Sequence, residues 1–584
     1  MSFIVSRTKP MRILSLFIAL MLSLAGCSQK NQPSGDSDAA ISSESADTIY
    51  TNGKIYTVDT SNVWAEAVAI KDGKFVAVGT ATDVKVMAGE GTEVVDLDGA
   101  FAMPGIGDTH IHPALVMPKR AFCGLPGTFY EPTEESTIDA LKKCIAEYPE
   151  DREWFIATGF TVPAMSSEIL TRQFLDELIP DRPAFIEDET GGHTAWFNTA
   201  AMKAAGVSKE FEDTAETFFG RTEDGDINGM AYEGALNAFY AVMPPFDTEI
   251  KKIAFMKLLD EATAKGITAV GDAYVFEPDL QAYQELHQEG KIQQHIALYL
   301  GGNLGTPELT PVDELLRWWE SYDLPGHKGV KIGMGGSIES FSEPLVDGWA
   351  DPTKTANPFV AADVFADYIA ELDAAGFQVK VHAIGDMTVR ATLDGYEATI
   401  KANGNNRLRH HIDHCSLIHP DDFQRFVDLD VSCTIWPPLN APVAYNTGNI
   451  KPVLKPETWA RMYANRDRLD AGIRLVNHTD APAATLWPWW GMEASITRRT
   501  PGKPDSPAMS PEQSMSVEEL IVAYTINTAW SLMIDDITGS IETGKSADMI
   551  VLNHNLFEIP STDIHKTEVQ KTIFKGEVVY EPDR

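Results

Sequence analysis

The sequence predicts an α/β fold: a TIM (β/α)8 barrel, joined to a small β-sandwich built from both chain ends and enlarged by an α/β insertion after the first barrel strand. Eight apolar stretches with strand character recur through the middle of the chain. Helical patterns lie between several of them, as is typical of a parallel α/β fold. Both chain ends are rich in short strands separated by turn residues.

The barrel prediction depends on the number and spacing of the apolar stretches. Eight is the number of strands in a TIM barrel, whose active site lies at the C-terminal ends of the strands. Helices are predicted between them, for example over 364–375 and 421–429. The candidate strands are residues 102–111, 267–272, 296–300, 330–334, 379–382, 410–414, 431–435 and 473–477.

The domain boundaries follow from the gaps between these strands. The first two are separated by about 155 residues, whereas one β-α step needs about 30. An insertion is therefore predicted at about 115–250, on the catalytic face of a barrel domain that covers 101–539. The turn signals Asn52-Gly53 and Asp72-Gly73 separate short strands. Segments 47–100 and 540–584 are predicted to form one composite β-sandwich.

The first 26 residues have the pattern of a secretory signal peptide. Basic residues precede an apolar run over 13–24, which is too short to span a bilayer. The run ends in Leu24-Ala25-Gly26-Cys27, which resembles the lipobox of bacterial lipoproteins. This resemblance implies cleavage before Cys27 and a lipid anchor on it. The alternative is an ordinary signal peptide in which Cys27 is incidental.

A tether and a location follow from the same resemblance. Residues 27–46 have no apolar periodicity and are predicted to be flexible. Ser28, and not Asp, follows Cys27, which implies a bacterial cell-envelope protein on the outer membrane, facing the periplasm. An oxidising compartment permits a disulfide, but the sequence does not pair the remaining cysteines. These are Cys123, Cys144, Cys415 and Cys433.

The charge of the chain excludes one class of partner. The formal net charge is −38, which repels phosphate backbones and argues against nucleic acid. The chemistry described below calls for a small-molecule substrate. The sequence leaves the oligomeric state open, with a homodimer as one option.

The strongest signal of chemistry is a His-x-His pair at the end of the first barrel strand. His110 and His112 follow the apolar strand and Gly105-Ile106-Gly107-Asp108. On a strand, side chains at i and i+2 point to the same side, so the two imidazoles converge as a zinc site requires. Two structural histidines are the alternative interpretation.

Four more candidate ligands end later strands: Lys331, His382, His414 and Asp480. A lysine in an apolar strand is costly unless it is neutral or paired, or unless it reaches solvent at the strand tip. A neutral Lys331 can add CO₂ and become an anionic ligand that bridges two metals. His410 and His411 compete with His414. Asp480 can bind a metal and move the proton of a bound water.

The order His-x-His, Lys, His, His, Asp resembles the amidohydrolase superfamily, and within it the amidohydrolase 3 family of N-substituted formamide deformylase-like metal-dependent hydrolases. The resemblance runs from about Asp47 to the end. The segment 382–386 reads HAIGD as in that family, and the segment around His193 matches a second motif loosely. Two positions depart from the pattern: Gly335 replaces an Asp, and Asp413 replaces a Glu before His414.

The resemblance implies a hydrolase that cleaves non-peptide, linear amide C–N bonds with a metal-activated hydroxide. His110, His112 and Asp480 would hold one Zn²⁺. His382 and His414 would hold a second, bridged by carboxylated Lys331.

In that mechanism Asp480 passes the proton to the leaving amine. His193 contacts the substrate or its oxyanion, or is merely structural. An esterase, lactonase or deaminase on the same scaffold remains an alternative, and a single metal with unmodified Lys331 favours the deaminase-like form. A third alternative is a surface-anchored binding protein that has lost catalysis.

Overall fold

A computed structural model describes residues 45–127, 132–188, 193–214 and 217–582 of the 584-residue chain. The predicted signal peptide, Cys27 and nearly all of the predicted tether lie outside the described residues. Within the described ranges, no helix has both the length and the apolar character needed to cross a bilayer.

The N-terminal part folds into strands β1 (Thr48–Thr51), β2 (Lys54–Tyr56), β3 (Trp64–Ala65), β4 (Ala67–Lys71), β5 (Lys74–Gly79), β6 (Glu93–Asp96) and β7 (Phe101–Pro104), with helix α1 (Ala81–Lys85). One sheet has the order β5-β4-β1-β6. Asp72 and Gly73 join β4 to β5 with φ of 48° and 73°. Two positive φ values are what a type I′ hairpin turn needs, and the Asp-Gly pair supplies them.

The first barrel strand is shorter than its sequence predicts. Residues 102–111 are divided between β7, which pairs with outer strands, and the barrel strand β8 (Ile106–Ile111). Gly105 separates the two. A Cβ at Gly105 would lie 2.2 Å from Oγ1 of Thr268. The neighbouring strand therefore comes too close for a side chain at the break.

The chain segment that follows β8 and precedes the second barrel strand forms a separate layer. Its elements are α2 (Pro113–Arg120), α3 (Glu134–Glu147), β9 (Phe155–Phe160), α4 (Arg172–Leu178), β10 (Ala184–Asp188), β11 (Thr194–Phe197), α5 (Thr199–Ala204), β12 (Thr217–Arg221), β13 (Ile227–Glu233) and α6 (Asn237–Tyr240). The strands form one sheet of order β12-β13-β11-β10-β9. A disulfide joins Cys123 to Cys144 with a Cα–Cα distance of 5.5 Å. Cys415 and Cys433 are free and buried.

The barrel continues through β14 (Ile267–Val275), β15 (His295–Gly301), β16 (Lys328–Gly333), β17 (Gln378–Ala383), β18 (His411–His414), β19 (Ser432–Ile435) and β20 (Leu475–Asn477). Its helices are α7 (Thr248–Ala264), α8 (Glu277–Gln288), α9 (Val312–Ser321), α10 (Ala362–Ala374), α11 (Asp386–Asn403), α12 (Phe423–Asp428), α13 (Pro456–Trp459), α14 (Asn465–Asp470), α15 (Pro488–Thr497), α16 (Val517–Tyr524) and α17 (Ile526–Ser531).

These strands and β8 form one parallel sheet that runs in chain order. Side chains and loop backbone complete the circle between its two ends. The Asn477 amide donates to the carbonyl of Gly107 at 2.8 Å, and the Thr109 hydroxyl donates to the carbonyl of Asn477 at 2.9 Å. The N–H of Asp480 donates to the carbonyl of His110 at 2.9 Å. The predicted TIM barrel is confirmed, and each barrel strand overlaps its predicted stretch.

The C-terminal strands β21 (Met549–Leu552), β22 (Val569–Phe574) and β23 (Glu577–Tyr580) extend a second outer sheet of order β23-β22-β21-β7-β2-β3. This sheet therefore combines strands from both ends of the chain. Val68 and Phe75 of the first sheet share one buried apolar cluster with Met549 and Ile573 of the second.

Candidate metal centre

A small cavity of about 60 Å³ lies at the C-terminal ends of the barrel strands. Lys331 is not on its wall and is fully buried. The lysine therefore does not reach solvent at its strand tip. The predicted site residues on the wall are His110, His112, His193, His382, His414 and Asp480.

Strand register brings the ends of β16, β17 and β18 side by side, with the candidate ligands Lys331, His382 and His414 within three register positions of one another. Gly333 at the end of β16 lies opposite His382, which in turn lies opposite Asp413. His112 follows β8 directly and occupies the position just before helix α2, without capping it through its side chain. Asp480 lies in the loop after β20, where an isolated bridge pairs Ile111 with Ala481. The parallel arrangement thus gathers residues that are hundreds of positions apart in the chain.

His110, His112 and Asp480 form one group whose ligand atoms all lie within 4.8 Å of one another. Nδ1 of His112 donates to the carbonyl of Ala273 at 2.8 Å, and Nδ1 of His110 faces a carboxylate oxygen of Asp413 at 2.9 Å. Oxygens of this kind only accept, so the ring protons lie on Nδ1 and each Nε2 keeps its lone pair.

The arrangement of these lone pairs fits a bound cation. The two Nε2 atoms are 3.0 Å apart. Oδ1 of Asp480 lies 3.2 Å from Nε2 of His110 and 3.0 Å from Nε2 of His112. Burial, with nearby Lys331, lowers the pKa of His110 well below its ordinary value, so this ring is neutral. Two imidazole Nε2 atoms and a carboxylate oxygen thus converge on one point. Imidazole and carboxylate together suit Zn²⁺.

A second group contains His110, His414 and His478. His478 is fully buried, and neither of its ring nitrogens has a hydrogen-bond partner among the described residues. Sequence reasoning missed it, although it stands two positions before Asp480, the same spacing as the His-x-His pair. Of the three competing histidines in and just before β18, His414 lies on the cavity wall and His410 and His411 do not.

His382 lies beside these groups without joining either of them. Its Nε2 donates to the carbonyl of Gly336 at 3.0 Å, so Nδ1 is the unprotonated nitrogen. Its ring centre lies 4.4 Å from that of His414 and 5.7 Å from that of His193.

Buried charged residues lie behind the candidate ligands. Lys331 forms an ion pair with Asp413, and its Nζ lies 3.5 Å from Nδ1 of His110. Lys380, its neighbour across β16 and β17, has its Nζ 3.9 Å from the same carboxylate and donates to the carbonyl of Thr109. Burial raises the pKa of Asp413, but the two lysines outweigh it and hold that pKa well below its ordinary value. Burial lowers the pKa of Lys380 to about 8.

Glu343 accounts for the first departure from the family pattern. A Cβ at Gly335 would lie 2.1 Å from Oε2 of Glu343, so the Glu343 carboxylate occupies the space that a side chain at position 335 would take. Its Oε1 accepts from the N–H of Gly385 at 2.6 Å and from the hydroxyl of Thr388. Glu343 thus holds Gly385, the residue just before helix α11 and three positions after His382.

The insertion contributes a charged pair to the cavity. Nδ1 of His193 lies 2.8 Å from Oε2 of Glu233, and a quarter of the His193 side chain is exposed. The hydroxyls of Ser342 and Ser340 donate to Oε1 of Glu233 at 2.7 and 3.1 Å. Burial would lower the pKa of His193, but the Glu233 carboxylate outweighs it and raises the pKa to about 10. His193 therefore offers Nε2–H to the cavity as a donor.

This fold and this site define a metal-dependent hydrolase. The model of the amidohydrolase family matches residues 93–580, and the chain belongs to that family. It is 27% identical to the N-substituted formamide deformylase of Arthrobacter pascens, over 92% of this chain and 98% of that protein. It is 26% identical to Protein LONG AFTER FAR-RED 3 of Arabidopsis thaliana, over 92% of each.

Solved structures show the same fold. The crystal structure of an uncharacterized metal-dependent hydrolase from Pyrococcus horikoshii OT3 superposes with a TM-score of 0.69 at 22% identity. The match covers 88% of this chain and 99% of that one.

Proposed function

We propose that this hydrolase cleaves a linear amide C–N bond, other than a peptide bond, in a small molecule. The observation that carries the proposal is the set of three converging ligand atoms from His110, His112 and Asp480 in a cavity that His193 also faces. Near full-length similarity to a formamide deformylase supports an amide as the bond.

The residues of the cavity have different roles in the proposed hydrolysis. A divalent cation held by His110, His112 and Asp480 would bring the pKa of a water near neutrality. The Asp480 side chain is 12% exposed, so its carboxylate can take the water's proton and return it to the amine nitrogen as the C–N bond breaks. His193 donates from Nε2 to the carbonyl oxygen, where negative charge develops. The products are a carboxylic acid and an amine.

The ion pair between Lys331 and Asp413 favours one metal per chain. A carboxylated Lys331 would place a second anion against the Asp413 carboxylate, and both side chains are fully buried. Like charges in a buried site repel strongly. We therefore expect unmodified Lys331, by intact mass, and one Zn²⁺ per chain by elemental analysis. Two metals with a carboxylated lysine would contradict this part of the proposal.

The test of function is a panel of small amides, esters and lactones incubated with the zinc-loaded protein. Amine release from amides is expected, and His110→Ala should reduce it at least a hundredfold. His419→Ala is the matched control, because His419 is partly exposed and does not line the cavity. No amide hydrolysis by the wild type, or full activity in His110→Ala, would overturn the proposal.

A deaminase is the second candidate, and the Lys331–Asp413 pair favours it because a single metal suits that form. The two activities give different products. Hydrolysis of an amino-substituted heterocycle releases ammonia, whereas an N-substituted amide releases an amine. An ammonia assay across amino-heterocycles separates them, and ammonia release without amine release would establish the deaminase.

We also propose that the mature protein is a lipoprotein of the bacterial cell envelope, anchored through Cys27 on the periplasmic side of the outer membrane. The lipobox-like tetrapeptide supports this, and the Cys123–Cys144 disulfide is compatible with an oxidising compartment. Metabolic labelling with a fatty acid should mark the wild type and leave Cys27→Ser unmarked. A homodimer remains a prediction, which sedimentation can test.

A further inference from the structure

A second, larger cavity lies beside the metal centre. It measures about 380 Å³, and it is lined by α2, by the end of the insertion and by the loops after β14 and β15. Leu115 and Leu304 line both this cavity and the one at the metal centre. The two cavities therefore share a wall, and we call the larger one the apolar pocket.

The wall of the apolar pocket is mostly apolar and partly exposed. Its large side chains come from two parts of the protein. Tyr240, Met243 and Phe246 belong to the insertion, and Phe276 and Leu304 belong to the barrel. All five are intermediate in exposure, and Tyr240, Met243 and Phe246 pack at the edge of the insertion's apolar core without being fully covered by it. Apolar surface that stays open inside a concave pocket is typical of a ligand site.

Each charged residue on the wall, Lys119, Lys251 and Asp279, has an ion-pair partner. Lys119 donates to Glu187 at 2.8 Å, and Tyr240 donates to the same carboxylate at 2.7 Å. Lys251 lies 2.8 Å from Asp279. Each lysine is thus neutralised by a carboxylate, so the pocket offers no unpaired charge to a ligand and favours an uncharged one.

Size connects this pocket to the reaction. The cavity at the metal centre is about 60 Å³, which holds a few waters or the reacting carbonyl group. Drug-sized ligands occupy pockets of about 300–1,000 Å³. A substrate whose carbonyl lies beside His193 and Asp480 must therefore place its larger part elsewhere, and the apolar pocket adjoins the site through Leu115 and Leu304.

We propose that the apolar pocket binds a bulky, uncharged aryl or alkyl substituent of the substrate, so that the natural substrates are amides with one such group. This inference deepens the proposed function and rests on it. Burial of each methylene in such a pocket increases kcat/KM by about fourfold. The protein should therefore prefer a butyl or phenethyl amide to the methyl amide of the same acid.

The experiment compares kcat/KM for the methyl, butyl and phenethyl amides of one acid. Met243→Trp fills the pocket and should reduce the phenethyl-to-methyl ratio at least tenfold. Val242→Trp is the matched control, because Val242 is adjacent, 42% exposed and not on the pocket wall. This control should leave the ratio unchanged. Equal rates for the three amides, or the same change of ratio in both variants, would overturn the inference.

A binding measurement separates this inference from the proposed function. Calorimetry with the phenethyl amide reports the pocket even when no amide is hydrolysed. Wild-type binding that is weakened by Met243→Trp and retained in Val242→Trp supports the pocket, although absent hydrolysis would then refute the proposed function. Hydrolysis of the methyl amide without tighter binding of the phenethyl amide refutes the pocket alone.

Discussion

Adding a single carbon at Gly335 tests whether Glu343 occupies the space of the missing side chain. In Gly335→Ala the new Cβ would lie 2.1 Å from Oε2, 2.8 Å from Cδ and 3.0 Å from Oε1 of Glu343. The carboxylate cannot move aside freely, because it is buried and accepts from Gly385 and Thr388. Overpacking of this kind costs about 1–3 kcal/mol, and we expect that loss in the free energy of unfolding.

The double-mutant cycle with Glu343→Ala isolates the contact. Removing the carboxylate opens the space, so Gly335→Ala in that background should be neutral or slightly stabilising, as Gly to Ala substitutions are where they fit. The coupling free energy should then be about 1–3 kcal/mol, within the range for residues in contact. Gly448→Ala is the control, because a Cβ at Gly448 meets nothing within 4 Å.

Guanidinium denaturation followed by tryptophan fluorescence measures all four members of the cycle. An equal penalty for Gly335→Ala with and without Glu343 would refute the idea that this carboxylate fills the position. A penalty for Gly448→Ala as large as that for Gly335→Ala would show that the cost is not specific to the contact with Glu343.

Three further predictions concern charge and covalent links. Burial raises the pKa of Glu343 to about 8, so between pH 5 and 8 the folded chain keeps a proton that the unfolded chain has released. As the pH rises through this range, the unfolding free energy of the wild type should therefore fall, relative to that of Glu343→Gln, by about 1.4 kcal/mol per pH unit. Parallel pH profiles of the two proteins would contradict this. Replacing Cys123 and Cys144, which are 21 residues apart, by Ser should reduce the unfolding free energy by about 3 kcal/mol, and reductant should then have no further effect. Glu233→Gln should lower kcat more than it raises KM, because the uncharged amide holds His193 less firmly as a donor; an unchanged kcat would exclude this role.

The sequence predicts most of the barrel because its signals are local. Apolar runs mark strands, and two ligand residues at i and i+2 mark one side of a strand end, so His110 and His112 are visible without a structure. The division of residues 102–111 at Gly105 is not visible, because it depends on Thr268 from the next barrel strand. That contact arises only after folding.

The residues that surround the candidate ligands cannot be predicted from the sequence for the same reason. The sequence marks Asp413 only as a departure from a family pattern, while the structure makes it the counter-ion of Lys331. Glu343 compensates for Gly335 from eight positions further along a loop, where no periodicity fixes the direction of a side chain. The sequence predicts no role for His478, because the family pattern marks only Asp480 after that strand.

We propose above all that His110, His112 and Asp480 hold the metal on which hydrolysis depends. The most direct test of this proposal is elemental analysis of the purified wild type, His112→Ala and His419→Ala after dialysis against a weak chelator, with activity measured on the same samples. We predict one transition-metal ion per chain in the wild type and in His419→Ala, and loss of both metal and activity in His112→Ala. A metal-free but active wild type, or a His112→Ala variant that keeps its metal and its activity, would contradict the proposal.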